Sequence, residues 1–458
     1  MYGVLSLNKL TSYLNNRGPV QAPALPGAQP ISEDDRIYTA DMDSNTVSVI
    51  NPKKGVVLGT IPFGSIRMDT GTDLLGAMYD GEMNVHGLGF SRDGRYLNVI
   101  CVTSNSVHVV ETATNKILNT IYVGRAPHEG FFSPDGCYLW VAERGQDTIA
   151  VIDWRNCKIK DHIVSEDGPS KVVFSPDGRL AYVNHLHADV LDIIDVETRQ
   201  IINRVKIPLE ACGSSDAAIS PDGKEIWLGM LENGKTTVIS TKDFRVQGVL
   251  GTGPRTNHPN FVTVEGVNYA YLTVGDLNQT LVYRRAFFES GHPTLVKRIQ
   301  NHGAGPHGIW PSPDNTRMYV ALQYSDAVDV IDTKSMEVIN TMRVGQSPMA
   351  LVYVARDREG SCDNLTRQGL DRRVELFPIE VLGFTGGGTA QVREMPGLDE
   401  VVINLRGLPP NKTVTVYALR QQEEMAILTA TSNEVGTIPE ALAFVHFFKN
   451  RFSKVLLR

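Results

Sequence analysis

His86, His128, His258 and His307 each stand five residues before the serine or threonine of a repeated turn segment, in HGLGFSRDG, HEGFFSPDG, HPNFVTVEG and HGIWPSPDN. Ser170 in PSKVVFSPDG, Ser215 in SSDAAISPDG and Met349 in PMALVYVARD take the same place, so seven positions recur 42 to 49 residues apart. A neutral imidazole offers a lone pair suited to copper, iron or zinc, and a thioether favours copper, above all Cu(I). No carboxylate shares this register, which counts against calcium and magnesium. The residues next along are Gly87, Glu129, Lys171, Asp216, Pro259 and Gly308. Glu129 has the chemistry to accept the second N–H of a ligand imidazole, and Lys171 with Asp216 that of an ion pair. These three are the candidate catalytic residues. His86, His128, His258, His307 and Met349 are the candidate metal ligands.

Residues so far apart share one site only if the chain brings every repeat around one axis. A period in the forties carrying several short strands is the mark of a β-propeller, whose units place equivalent residues on a ring. In the unit from Pro127, HEGFFS is the first strand, CYLWVAE the second, TIAVIDW the third and KIKDHIVS the fourth. The Asp-Gly of SPDG suits the turn between the first two, because glycine accepts positive φ and the Ser and Asp side chains bond nearby N–H groups. Complete units start near Val85, Pro127, Pro169, Ser214, Pro254 and Pro306. Three further strands over residues 36–63 lack an innermost partner, and residues 348–357 supply one. The expected fold is therefore all-β: a seven-bladed propeller closed by pairing the 348–357 strand with the 36–63 strands. Closure removes free sheet edges.

The domain reading is an arm or linker over 1–34, the propeller over 35–360, a linker over 361–372 and a small immunoglobulin-like β-sandwich over 373–458. The insertion SIRMDTGTDLLGAMYDGEMN, residues 65–84, lies on the histidine face and has the length of a lid. His185 and His187 in VNHLHAD read as an exposed pair on a loop of that face.

The stretches IYTADMDSNTVSVINPKKGVVLGTI and AYVNHLHADVLDIIDVETRQIINRVKI resemble the YVTN-repeat propellers over roughly residues 36–357. That resemblance implies the seven-bladed fold. It leaves the activity open, because such propellers serve as surface-layer proteins, binding platforms and enzyme domains.

The 458 residues carry a formal charge of −7 without a basic cluster, which argues against nucleic acid and anionic membrane as partners. No apolar run is long enough to span a bilayer. The five cysteines are scattered and free of CxxC, which points to neither a disulfide framework nor a thiolate metal site. The first residues lack a signal-peptide pattern, so the expected location is cytoplasmic, or extracellular if a leader has been removed. The functional expectation is a metalloenzyme, an oxidoreductase, acting on a small molecule in the channel through a transition metal: copper first, iron or zinc next. Its rivals are a metal-dependent lyase and a non-catalytic scaffold for a protein or glycan. The C-terminal domain is expected to mediate docking or assembly, including a homo-oligomer.

Overall fold

The computed structural model describes residues 28–64, 83–208, 213–285, 292–355, 360–371, 373–381, 383, 386–394, 398–421 and 423–458. The arm up to residue 27 and the insertion from 65 to 82 lie outside the described residues. The described residues form seven four-stranded antiparallel sheets and one seven-stranded sheet. The seven small sheets are the propeller blades, and the ring closes as the sequence predicts. Pro348–Val354 is the innermost strand of blade 1, paired with Arg36–Asp41, which is followed outward by Thr46–Asn51 and Val56–Pro62.

Innermost strands such as Pro127–Phe132, Pro169–Phe174 and Ser214–Ile219 are buried along their whole length. Outer strands such as Lys158–Val164 and Glu337–Arg343 expose most positions and carry Lys, Arg, Glu and Asn there. Charged outer edges discourage pairing with other chains. In five blades the turn after the first strand is set by a serine hydroxyl donating to an aspartate two residues on, at 2.5 to 2.6 Å. Blade 6 departs from this pattern. Its first hairpin, Thr256–Val264 with Val267–Val274, closes on Glu265 and Gly266, both at positive φ, the conformation of a tight two-residue turn.

Within blade 1, fully buried Asp41 accepts hydroxyl hydrogen bonds from Thr39 at 2.7 Å, Thr46 at 2.9 Å and Ser48 at 2.7 Å. Burial outweighs these donors and pushes its carboxyl up to about 7. A raised carboxyl favours folding while it is protonated, so its stabilisation is present below pH 4 and is lost as pH rises to 7. At about 1.4 kcal/mol per pH unit, the loss is on the order of 4 kcal/mol. Asp41→Asn should therefore flatten the dependence of melting temperature on pH between 4 and 7. Parallel wild-type and variant curves would refute this.

Residues 361–371 of the expected 361–372 linker lie on the propeller. Thr366 exchanges main-chain hydrogen bonds with Thr60 at 2.9 and 2.8 Å, and Asn115 of blade 2 donates to the carbonyls of Ser361 and Asp363. The C-terminal module is the seven-stranded sheet, whose two halves share Val374–Val381. The first part of that strand pairs with Gly387–Arg393, and its last three residues pair in parallel with Lys454–Leu457. The result is a sandwich-like, nearly closed sheet around Val392, Ile403, Val416, Phe447 and Leu457.

The module docks on its own propeller. Arg393, 1% exposed, bonds Glu400 of the module, Asp43 of blade 1 and Asp326 of blade 7, the Glu400 contact being 2.7 Å and the Asp326 contact 3.1 Å. Asp43 and Asp326 lie between the second and third strands of their blades. They are therefore on the face where the innermost strands begin.

Candidate functional site

Every innermost strand is irregular near its start. The pairing register breaks between Val85 and Gly87, Pro127 and Gly130, Pro169 and Lys171, Ser214 and Asp216, Thr256 and Pro259, and Pro306 and Ile309. A regular strand sends successive side chains to opposite faces, whereas a bulge re-aims them. These bulges bring neighbours such as His128 and Glu129 to one site.

The rings of His86 and His128 lie 4.2 Å apart, those of His86 and His307 6.2 Å, and those of His258 and His307 4.7 Å. All four predicted histidines thus converge, although one does so from a different level than expected. Strand pairing aligns Asn257, not His258, with His128: Pro127 and Gly130 face Glu143 and Val141, while Thr256 and Pro259 face Val274 and Leu272. The first hairpin of blade 6 is one residue longer on each strand, so counting back from its turn lands one position too far along. His258 belongs with Glu129, Lys171 and Asp216. Asn257 takes the place in the upper ring and accepts from Ser215 Oγ at 3.1 Å.

Two glycines make the convergence possible. A Cβ on Gly87 would sit 2.1 Å from the His128 carbonyl oxygen, and one on Gly308 would sit 2.3 Å from that of Met349. The residue after His86 and after His307 must therefore be glycine for neighbouring blades to meet. Gly87→Ala should cost about 1–3 kcal/mol by parting blades 2 and 3, read as a lowered melting temperature. An unchanged melting temperature would show that this approach is not enforced.

The upper ring is tied together by hydrogen bonds on one side. His128 Nδ1 donates to the Ser170 carbonyl at 2.9 Å, and Ser170 Oγ donates to the Ser215 carbonyl at 2.7 Å. A carbonyl only accepts, so the His128 proton is on Nδ1 and Nε2 keeps its lone pair. In the lower ring, Lys171 Nζ contacts Asp216 at 2.8 Å and Glu129 at 3.1 Å, and His258 Nδ1 contacts Asp216 Oδ2 at 3.0 Å. The lysine–aspartate pair expected from sequence is present, with Glu129 as a third member. Met349 is buried at the upper level in blade 1, beside His307 through its main chain.

Burial, with Arg144 next, pushes the His86 imidazole down to about 3. Burial also holds His128 and His307 well below the usual histidine range, with Arg144 and His86 adding to the effect on His128, and His258 and His86 to that on His307. These three imidazoles are neutral at pH 7, the form that binds metal. Burial raises the Glu129 carboxyl even though Lys171 opposes it. For Asp216 burial also acts upward, but His258 and Lys171 together outweigh it and the carboxyl is lowered. Burial acts downward on Lys171, and Asp216 and Glu129 reverse it, so the ammonium is held above its ordinary range.

Several buried atoms here have no hydrogen-bond partner: His86 Nδ1, Glu129 Oε1, Asp216 Oδ1 and Arg144 Nε. Buried polar groups in native proteins are nearly always satisfied, so such a cluster marks a place for something else. Donor atoms of His86, His128 and Glu129 lie within 4.8 Å of one another, as do those of Glu129, Asp216 and His258. Arg144 went unseen in the sequence because it follows the second strand of blade 3, Leu139–Glu143, where the repeat places nothing chemical. His185 is also not where expected. It ends the strand Leu180–His185, fully buried, bonded to Ser165 Oγ at 2.8 Å and the Val190 carbonyl at 3.0 Å, and so belongs to the interior of blade 4.

No protein-family model matches the chain, and no curated protein matches it. Solved structures do resemble it. Hydrazine synthase of Kuenenia stuttgartiensis matches with TM-score 0.52 and 18% identity over 58% of this chain and 88% of that one. The periplasmic gluconolactonase of Pseudomonas aeruginosa matches with TM-score 0.55 and 19% identity, over 70% and 99%. The Cps50 (Swd1) propeller domain of Myceliophteria thermophila matches with TM-score 0.53 and 14% identity, over 69% and 97%. At such identities the likeness is one of fold, and the fold is the seven-bladed β-propeller.

Proposed function

We propose that the chain is a metal-dependent enzyme, an oxidoreductase, whose metal is held in the propeller channel by His86, His128 and Glu129. The observation that carries this reading is the meeting of three donors with free capacity. His86 Nδ1 and Glu129 Oε1 are buried without a partner, and His128 keeps its Nε2 lone pair because Nδ1–H is spent on Ser170. The carboxylate alters the expected metal. Two imidazoles and one carboxylate with open positions is the donor set of non-haem iron(II), while copper(I) favours thioether and thiolate. Iron is therefore placed first, with zinc and copper behind it.

When bound, the metal would supply redox chemistry on a small-molecule substrate in the channel. The chain's own residues supply the rest. Lys171 holds one oxygen each of Glu129 and Asp216, leaving Glu129 Oε1 for the metal. Asp216 accepts from His258 Nδ1 and so fixes the tautomer and orientation of that imidazole. His258 and His307 complete the wall and remain candidate ligands. Met349 is retained only as a neighbour of His307. The finer family assignment, a YVTN-type repeat, rests on the resemblance of the blade sequences.

Elemental analysis of protein purified without a metal-affinity tag tests the reading. Stoichiometric iron, zinc or copper, together with a melting temperature that falls on chelation, supports it. Metal-free protein that melts identically with and without added iron(II) overturns it. A lyase would use the same ligands for Lewis-acid chemistry, and it would show metal-dependent turnover without a redox signal.

A further inference from the structure

We propose that Arg144 docks an anionic substrate, a small molecule bearing a carboxylate, beside the His86, His128 and Glu129 donors. The reading of the channel as a metal centre decides what becomes of that molecule, while the docking itself rests on Arg144. The main-chain N–H of Arg144 bonds the Ala126 carbonyl at 3.1 Å, which holds its loop over blade 3. Its Nη2 donates to Ser170 Oγ at 2.5 Å, the same residue whose carbonyl holds His128. The Nε–H is buried and bonds nothing, and among the described residues no carboxylate pairs with this guanidinium. Burial brings its charged form down to about 10, and the field of Glu129 opposes this. Glu129 is already engaged by Lys171.

Arg144 is half-buried, but its Nε–H is shut off from water and unpaired, a desolvation cost that persists only where something compensates it. Arg144 and Lys171 balance Glu129 and Asp216 in formal charge, so a divalent metal would leave the site with two positive charges in excess. An anionic ligand cancels part of that excess. A carboxylate fits better than a point anion because the planar guanidinium offers parallel N–H donors to two oxygens. Every other large buried charge in this region is paired. Among the described residues, the half-buried Arg144 beside the neutral imidazoles meets no carboxylate.

The test uses the full chain, first treated with chelator and then loaded with iron(II), and measures lactate, pyruvate, lactamide and inorganic phosphate by ligand-observed NMR and calorimetry. Lactate and pyruvate should bind and lactamide should not. Arg144→Gln should weaken the carboxylates about tenfold to a hundredfold, and Arg144→Lys should recover part of the loss. Arg144→Gln should melt at or above the wild-type temperature, because it removes an uncompensated charge. Undiminished binding by Arg144→Gln, no carboxylate binding in either metal state, or phosphate preferred over both carboxylates would overturn the proposal. A variant that melts well below wild type would also overturn it, by marking Arg144 as a structural group. Carboxylate binding that depends on Arg144 in a protein that never takes up metal keeps the docking role and removes the metal-centre reading alone.

Discussion

Replacing His86 and His128 together by alanine should reduce bound metal from about one per chain to background while the propeller stays folded. Loss of a single outer partner of a ligand typically weakens metal binding about tenfold to a hundredfold. Two direct donors lost from one site should exceed the upper end of that range. The fold should survive because both rings line the channel, at 8% exposed each, and the first of them carries a nitrogen that bonds nothing. Metal-free wild type and metal-free variant should therefore melt within a few degrees of each other. A gap should open only when metal is added, since a ligand at a hundred times its Kd stabilises the native state by about 2.7 kcal/mol. A variant that binds metal as tightly as wild type would remove these residues from the ligand set. A variant that unfolds without metal present would assign them to packing.

Arg393→Ala should strongly destabilise the protein, and its effect should concentrate at the join between module and propeller. The guanidinium is fully buried and faces three carboxylates, Asp43, Asp326 and Glu400, together with Gln391 Oε1 at 2.8 Å. Burial acts against its charge, but the surrounding carboxylates overcome this and hold it well above the ordinary arginine range. Breaking a buried pair by removing one partner typically costs about 3–5 kcal/mol, and here three acids would be left facing each other. The expected result is a separate, earlier melting step for the C-terminal module and faster proteolysis after residue 360. Arg393→Lys should not restore stability, because an ammonium cannot reach all the acceptors that the planar fork does. A single cooperative transition near the wild-type temperature would show that the two bodies are held elsewhere.

The period of the repeat was enough to read seven blades, the closure through the strand read as residues 348–357 and the convergence of distant histidines, because duplicated units must present equivalent positions to one axis. The alternation of apolar residues and the Ser-x-Asp-Gly turns made the individual strands legible, and the departure from the repeat after Gly360 marked a different body. Other features had no local signal. Bulges near the start of the innermost strands bring Glu129 in beside His128, so a carboxylate placed outside the ring by residue counting comes within 4.8 Å of the His86 and His128 donor atoms, and the proposed metal changes with it. The longer first hairpin of blade 6 moves His258 down one level, where Asp216 meets it. Arg144 and Arg393 are ordinary surface arginines by sequence. Their surroundings, half-buried and free of carboxylates for the first and crowded with them for the second, come from loops and domains that touch only after folding. Composition and period determine which elements form and in what order. Desolvation and exact facing of charged groups depend on tertiary contacts, and these set the chemistry of the channel.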